Sequence, residues 1–173
     1  MKATFFLLFL TVVCPAMAEP YLQPELEAFR PLLGKTFRGE LAGSEGGAPR
    51  IDVSRWERAL NGRVVRNLHS VNEGEYGGES IIYWDAEREM IRYHYYTTAG
   101  FRTEGSMVAN PDGYTAHETV TGGEGGVTEV RSRAQLLPDG TLRTESQYLR
   151  NGEWVTGHSA RYRTSDDAEV IFR

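Results

Sequence analysis

Apolar and polar residues alternate with a period of two in many short segments of the chain. In one such segment, Arg102 and Glu104 fall on the face opposite to Phe101 and Met107. A period of two is typical of β-strands that bury one face and expose the other to water. The pattern therefore predicts a sheet with one apolar side and one charged side.

Turn signals separate these segments at intervals of about ten residues. They include Asn-Gly pairs at residues 61–62 and 151–152 and a Gly-rich stretch at residues 122–126. Between them lie about ten segments rich in Val, Ile, Thr, Tyr and Phe, which are enriched in strands. Since no helical pattern interrupts these segments, we predict an all-β, antiparallel, up-and-down arrangement. An open sheet of this kind would leave two long edges unpaired, and closure into a barrel removes both.

One segment before the predicted strands has helical spacing. Leu22, Leu26, Phe29 and Leu33 recur every three or four residues, which indicates one apolar helical face. We therefore predict a short N-terminal helix over residues 22–33 that caps one end of the barrel.

The last predicted strand carries the most specific site prediction. Unbroken alternation over residues 154–163 places Trp154, His158 and Tyr162 on one face. The more apolar face of a barrel strand points inward, so the pattern predicts that His158 projects into the interior. An interior imidazole needs a hydrogen-bond partner and stays neutral, because burial disfavours its charged form. Both a core histidine bonded to a neighbouring Tyr or Thr and a ligand-binding histidine meet these conditions.

Two further aromatic positions are candidates for ligand contact. His94 lies in the aromatic segment of residues 93–96 (YHYY), where it is either a packing residue or a polar group in a pocket. Trp84 closes another apolar segment. The candidate ligand-binding residues are Trp84, His94, Trp154, His158 and Tyr162.

The N-terminus has the pattern of a secretory signal peptide. A positively charged start is followed by an apolar run over residues 3–13 and by a small-x-small cleavage site at Ala16-Met17-Ala18. The apolar run is shorter than a membrane span needs. We expect the signal peptide 1–18 to be cleaved after Ala18, which leaves residues 19–173 as one periplasmic or secreted barrel domain. Lipidation at Cys14 is an alternative that stays open.

An exported barrel of this size must be compared with outer-membrane barrels, which carry an outward apolar band on every strand. Here the outward faces of the predicted strands are charged. Examples are Arg102, Glu104, Arg143, Glu145 and Arg161. The pattern favours a barrel surrounded by water, with no transmembrane segment in the mature chain.

The charge of the chain limits the class of its partner. The 173 residues carry a net charge of −5 at neutral pH, and loss of Lys2 leaves 18 basic against 24 acidic residues, a net −6. Phosphate binding needs a concentrated basic face, so we expect no nucleic-acid partner. Cys14 is the only cysteine, so the expected mature chain has neither a disulfide nor a thiolate nucleophile.

No motif in the chain names a reaction. The sequence has no P-loop, no His-Glu-x-x-His zinc motif and no Gly-x-Ser-x-Gly nucleophile elbow. Its four histidines are far apart, so no metal site is predicted. The sequence leaves open whether the protein is an enzyme, and it favours binding over catalysis.

Four short stretches resemble the layout of lipocalin-like, or calycin, barrels. They are residues 32–40 (LLGKTFRGE), 60–63 (LNGR), 80–85 (SIIYWD) and 151–154 (NGEW). The likeness is to bacterial families of unknown function and, more distantly, to nitrobindin-like haem barrels, although Phe37 stands where a Trp is usual. It implies a barrel with a ligand cavity. Nitrobindin-like proteins hold haem through a histidine near the C-terminal end, so the resemblance implies haem on His158 as a possible cofactor.

Three function classes follow from these patterns. The first is a binding protein for a small apolar or amphipathic molecule held inside the barrel. The second is an enzyme that uses a polar pocket in the same barrel. The third is an envelope interaction module with a fully packed barrel. A cavity favours the first two, whereas an exposed apolar patch without a cavity favours the third.

Overall fold

The protein is a closed antiparallel barrel of ten strands, as the alternation and the turn signals predict. The computed structural model describes residues 19–42, 50–123 and 125–173. Each strand pairs with the next along the chain, and β10 closes the barrel on β1. The strands are β1 (Thr36–Leu41), β2 (Arg50–Ala59), β3 (Val64–Val71), β4 (Tyr76–Asp85), β5 (Met90–Thr97), β6 (Arg102–Asn110), β7 (Gly113–Thr121), β8 (Val127–Leu136), β9 (Leu142–Arg150) and β10 (Glu153–Thr164). The predicted signal peptide 1–18, its cleavage site and Cys14 lie outside the described residues.

A 3₁₀ helix, Pro24–Leu32, closes one end of the barrel where the sequence predicts a helical cap. Its buried side chains are Leu26, Phe29 and Leu32, and the Phe29 ring stacks on Trp56 of β2 at 6.0 Å between centroids. Pro31 has no N–H to donate, which interrupts an α-helical ladder at this point. We call this the closed end and the opposite one the open end. No helix in the described part of the chain is long and apolar enough to span a membrane.

A β-bulge in β10 changes which side chains of this strand point into the barrel. Trp154 pairs with Leu149 of β9, but the register shifts between Thr156 and Ser159, and one extra residue moves the following side chains to the other face. His158 consequently faces the interior, whereas Trp154 lies on the outer surface under the guanidinium of Arg131, whose Cζ is 4.0 Å from the ring centroid. The predicted common face for Trp154 and His158 is therefore wrong, because unbroken alternation does not anticipate a bulge.

The segment after β10 returns along the outside of the barrel. The Ser165 amide donates to the carbonyl of Thr36 at the closed end, over 2.9 Å. The Ile171 amide donates to Ser70 Oγ on β3 over 3.0 Å. The last residues therefore cover the outer face of β3 and leave the interior free.

Candidate functional site

The barrel encloses a cavity of about 510 Å³. Its apolar wall includes Trp56, Val71, Phe101, Met107, Val130 and Leu142. The lining side chains extend from above the 3₁₀ helix to strand residues at the open end, such as Arg50 and Val127. A barrel of this strand count has room in its interior for one small ligand.

A hydrogen-bonded row of four side chains crosses one wall of the cavity. Asp52 is buried, and its Oδ1 lies 2.9 Å from Nδ1 of His69. His69 Nε2 lies 2.7 Å from the hydroxyl of Tyr95, which lies 2.7 Å from the hydroxyl of Tyr76. Asp52 also accepts a hydrogen bond of 2.7 Å at Oδ2 from Tyr162. We refer to these five side chains as the Asp52 network.

The proton positions in the Asp52 network follow from what each group can donate. A carboxylate only accepts, so the tautomer that satisfies Asp52 is the one with the proton of His69 on Nδ1. His69 Nε2 then accepts from Tyr95, and Tyr95 accepts from Tyr76. Burial raises the pKa of Tyr95 and of Tyr162 far above the usual range. The neighbouring Tyr76 raises the pKa of Tyr95 further, and the charge of Asp52 does the same for Tyr162. Both phenols therefore stay protonated as donors.

Glu118 of β7 is a second carboxyl group that lines the cavity. Thr103 of β6 is buried and donates its hydroxyl to Glu118 Oε2. Burial raises the pKa of Glu118, although the bonds to Thr103 and Tyr93 and the charge of His117 act in the opposite direction. A carboxylate in this position loses contact with water, and no positively charged group among the described side chains pairs with it to compensate for that loss.

His158 lines the same cavity on β10. Its Nδ1 lies 3.3 Å from Ser146 Oγ and also bonds the hydroxyl of Tyr148, both on β9. Burial lowers the pKa of His158, the charge of Asp52 raises it in part, and His69 and Arg50 lower it further. The imidazole therefore becomes neutral at a lower pH than a free histidine does, and the neutral form is the one that a proton acceptor or a ligand to iron needs.

The structure brings two of the five candidate residues to the cavity and leaves three elsewhere. His158 and Tyr162 line it. Trp84 packs against the core near the end of β4, on the side of the closed end. His94 lies on the outer surface, stacked on Tyr83 with ring centroids 6.0 Å apart, because its neighbours Tyr93 and Tyr95 take the inward positions of β5. Trp154 is outside because of the bulge described above.

Most of the interior polar groups were missed by the sequence analysis. They are Asp52, His69, Tyr76, Tyr95 and Glu118. A usable signal was present on β3, where Val65, His69 and Val71 share one face by alternation. No comparable signal links His69 to Asp52, since their contact depends on which inward residues of β2 and β3 lie side by side. Among the described residues, no group of three His, Cys, Asp or Glu side chains is placed to hold a metal ion.

The barrel fold has a counterpart among solved structures. The crystal structure of Rv2717c from M. tuberculosis superposes with a TM-score of 0.60 at 14% sequence identity, over 84% of this chain and 99% of that one. At this identity the likeness shows a shared fold alone. No protein-family model and no curated protein sequence matches the chain, so the lipocalin-like and nitrobindin-like resemblance stays a prediction.

Proposed function

We propose that this protein is an exported binding protein that holds one small amphipathic molecule inside its barrel. The observation that carries the proposal is the cavity of about 510 Å³, which has apolar walls and the Asp52 network along one side. Ligand pockets are typically concave and mostly apolar, with a few placed polar groups that fix orientation. The same cavity argues against a fully packed interaction module.

The arrangement of the wall supports an amphipathic ligand over a wholly apolar one. At one end of the Asp52 network, the Tyr76 hydroxyl donates its hydrogen bond to Tyr95, so the Tyr76 oxygen can still accept a hydrogen bond from a ligand. Glu118 and His158 add further polar atoms to the lining. A ligand without polar groups would separate these atoms from water and leave them unsatisfied, at about 1–3 kcal/mol each.

A dye-binding measurement tests the proposal. N-phenyl-1-naphthylamine is a small uncharged fluorophore, and we expect its emission to rise as it saturates one site per protein molecule. Ser132 of β8 lines the cavity, so Ser132→Trp would place an indole inside it and should weaken dye binding at least tenfold. Thr115→Trp adds the same group to an exposed position of β7 and should leave binding unchanged. Equal binding by the two variants would contradict an interior site.

A second candidate function is catalysis in the same cavity, favoured by the presence of two interior imidazoles and two interior carboxyl groups. Neutral His158 and the row of hydrogen bonds from Tyr76 to Asp52 are suited to accept and pass a proton. Native mass spectrometry of protein purified from its own host separates the two functions. A binding protein returns one retained ligand of constant mass, whereas an enzyme converts it on incubation, and His69→Gln should abolish the conversion.

Haem is the cofactor that the resemblance suggests, and His158 is the residue that would hold the iron. The hydroxyls of Ser146 and Tyr148 at Nδ1 can accept the proton of that nitrogen, which is the supporting contact that a metal-bound histidine usually has. A bound haem would supply ligand binding or redox chemistry at its iron. Haem titration should then give a Soret shift that His158→Ala abolishes, and the absence of a shift would leave His158 with a structural role.

Export is part of the same proposal and has its own test. We expect protein recovered from the host envelope or medium to begin at Glu19, with the mass of residues 19–173. A mature chain that begins at Cys14 and carries lipid would replace this proposal with the lipoprotein alternative. A chain that keeps residues 1–18 and stays inside the cell would contradict export.

A further inference from the structure

Glu118 differs from the other interior carboxyl group in the donors that surround it. Asp52 receives hydrogen bonds from His69 and from Tyr162. Glu118 accepts hydrogen bonds from the neutral hydroxyls of Thr103 and Tyr93. Within the described residues, no ion pair involves Glu118. The cavity therefore contains one carboxyl group that is held by hydroxyl groups alone and that forms no ion pair with a described side chain.

Two basic side chains, Arg50 and Arg133, line the cavity, and both are exposed to solvent. Among the ion pairs found in the described residues, neither of them pairs with Glu118. The imidazole of His69 has both nitrogens engaged in the Asp52 network. An anionic ligand would thus meet two carboxyl groups in the interior and no buried guanidinium or ammonium group among the described residues. A cationic ligand would meet complementary charge.

Four tyrosine side chains line the same cavity as Glu118, namely Tyr76, Tyr93, Tyr95 and Tyr114. Of these, Tyr93 donates a hydrogen bond to the carboxyl group. Ring faces attract cations by about 0.5–2 kcal/mol, with the larger values where water is excluded. Tyr76 also has an oxygen that can accept a hydrogen bond. This combination of a carboxylate, a phenol oxygen and ring faces suits a group that is both positively charged and rich in N–H donors.

We propose that the molecule bound in the barrel is an amphipathic amine, whose ammonium group pairs with Glu118 while its apolar part fills the cavity. This inference names the ligand class and so rests on the proposed binding function. The ammonium group would supply the positive charge that Glu118 lacks in the free protein. In a site with little water, the attraction between two opposite charges is stronger than on the surface, and it acts against the cost of removing water from the ammonium group.

Three probes with the same flexible apolar chain test the inference in the unmodified protein. They are n-octylamine, 1-octanol and nonanoate, which share an eight-carbon alkyl chain and differ in a cationic, neutral or anionic end group. Their affinities are measured at pH 8, where the alkylamine is still protonated, by displacement of N-phenyl-1-naphthylamine and by calorimetry. We expect octylammonium to bind about tenfold or more tightly than octanol, and nonanoate to bind most weakly. Equal or weaker binding of octylammonium, or displacement of the dye by none of the three, would overturn the inference.

A matched pair of variants assigns the preference to one carboxyl group. Glu118→Gln keeps the shape and an acceptor for Thr103, and it should reduce octylammonium affinity to that of octanol while octanol affinity stays the same. Glu104→Gln removes an outer carboxyl group on β6 and should change neither affinity. An octylammonium preference that survives Glu118→Gln would contradict the assignment, even if that preference is real.

The outcomes for the two proposals are distinguishable. If the dye binds inside the barrel and octylammonium has no advantage, the amine inference fails and the binding function stands. If Ser132→Trp and Thr115→Trp bind the dye equally, the binding function itself fails. Because the three probes are compared in the unmodified protein, the inference can be rejected even if Glu118→Gln fails to fold.

Discussion

Tyr162 donates its hydroxyl to Asp52 over 2.7 Å although 110 residues separate the two in the sequence. Both residues pair with Gly39 of β1, one from each side. A Cβ atom at Gly39 would lie 2.7 Å from Cδ1 of Tyr162, so the missing side chain leaves the space in which the ring crosses β1. Tyr95 approaches His69 in the same way across Gly78, where a Cβ would lie 2.4 Å from its ring. Two inward glycines thus allow the Asp52 network to form.

Removal of the Tyr162 hydroxyl should destabilise the fold. Tyr162→Phe keeps the buried ring and leaves Asp52 short of one donor, at an expected cost of about 1–3 kcal/mol in the free energy of unfolding. Urea denaturation of both proteins measures the change. Tyr21→Phe removes an exposed hydroxyl and serves as the control, with an expected change within about 0.5 kcal/mol. Equal effects of the two substitutions would show that the bond to Asp52 adds no stability.

A methyl group at Gly39 should also destabilise the barrel, for a different reason. Gly39→Ala places a Cβ 2.7 Å from both the Arg161 carbonyl oxygen and the Tyr162 ring. Overpacking of this kind typically costs about 1–3 kcal/mol. The added methyl group should also displace Tyr162 and weaken its bond to Asp52. Tyr162→Phe should therefore lower the free energy of unfolding by less in the Gly39→Ala protein than in the wild type. Strictly additive losses in urea denaturation would contradict a shared cause.

His158 should make stability depend on pH in a known direction. Burial lowers its pKa in the folded protein below the 6.5 of a free histidine. Between these two pKa values the unfolded chain binds more protons at this residue, so the free energy of unfolding falls as the pH drops through 6.5. His158→Gln should therefore flatten the pH dependence of the urea midpoint between pH 7.5 and pH 5. His94→Gln, which removes an outer imidazole, is the control, and an equal slope for wild type and His158→Gln would refute the prediction.

Glu118 should make the stability depend on pH in the direction opposite to that of His158. Its pKa is raised in the folded protein by burial, so the folded state binds more protons than the unfolded chain above pH 4.5, and stability falls as the pH rises through that range. Glu118→Gln removes the carboxyl group whose ionisation lowers the stability, so this variant should unfold at a higher urea concentration than the wild type at pH 8. Glu104→Gln on the outer face should shift the free energy of unfolding by less than about 0.5 kcal/mol. A Glu118→Gln protein that is less stable at pH 8 would mean that the carboxylate is well solvated.

The sequence was sufficient for the elements that depend on short-range patterns. Alternation of Phe101 and Met107 with Arg102 and Glu104 has a direct physical cause, since successive side chains of a strand point to opposite faces. The spacing of Leu26 and Phe29 likewise places both on the apolar side of the helical cap. Each of these predictions needs only neighbours within a few residues, and each agrees with the structure.

The arrangement of side chains inside the barrel depends on contacts between residues that are far apart in the sequence, and no local pattern reveals these contacts. One extra residue near Gly157 places Trp154 outside and His158 inside, and a single strand sequence does not reveal which residue is left unpaired. The five side chains of the Asp52 network come from β2, β3, β4, β5 and β10. Their contacts exist because closure sets β10 beside β1 and because Gly39 and Gly78 leave room for two tyrosine rings to cross. Periodicity thus determined the strands and their buried faces, whereas only the closed barrel determined which buried polar groups meet, because hydrogen bonds between strands depend on register and space.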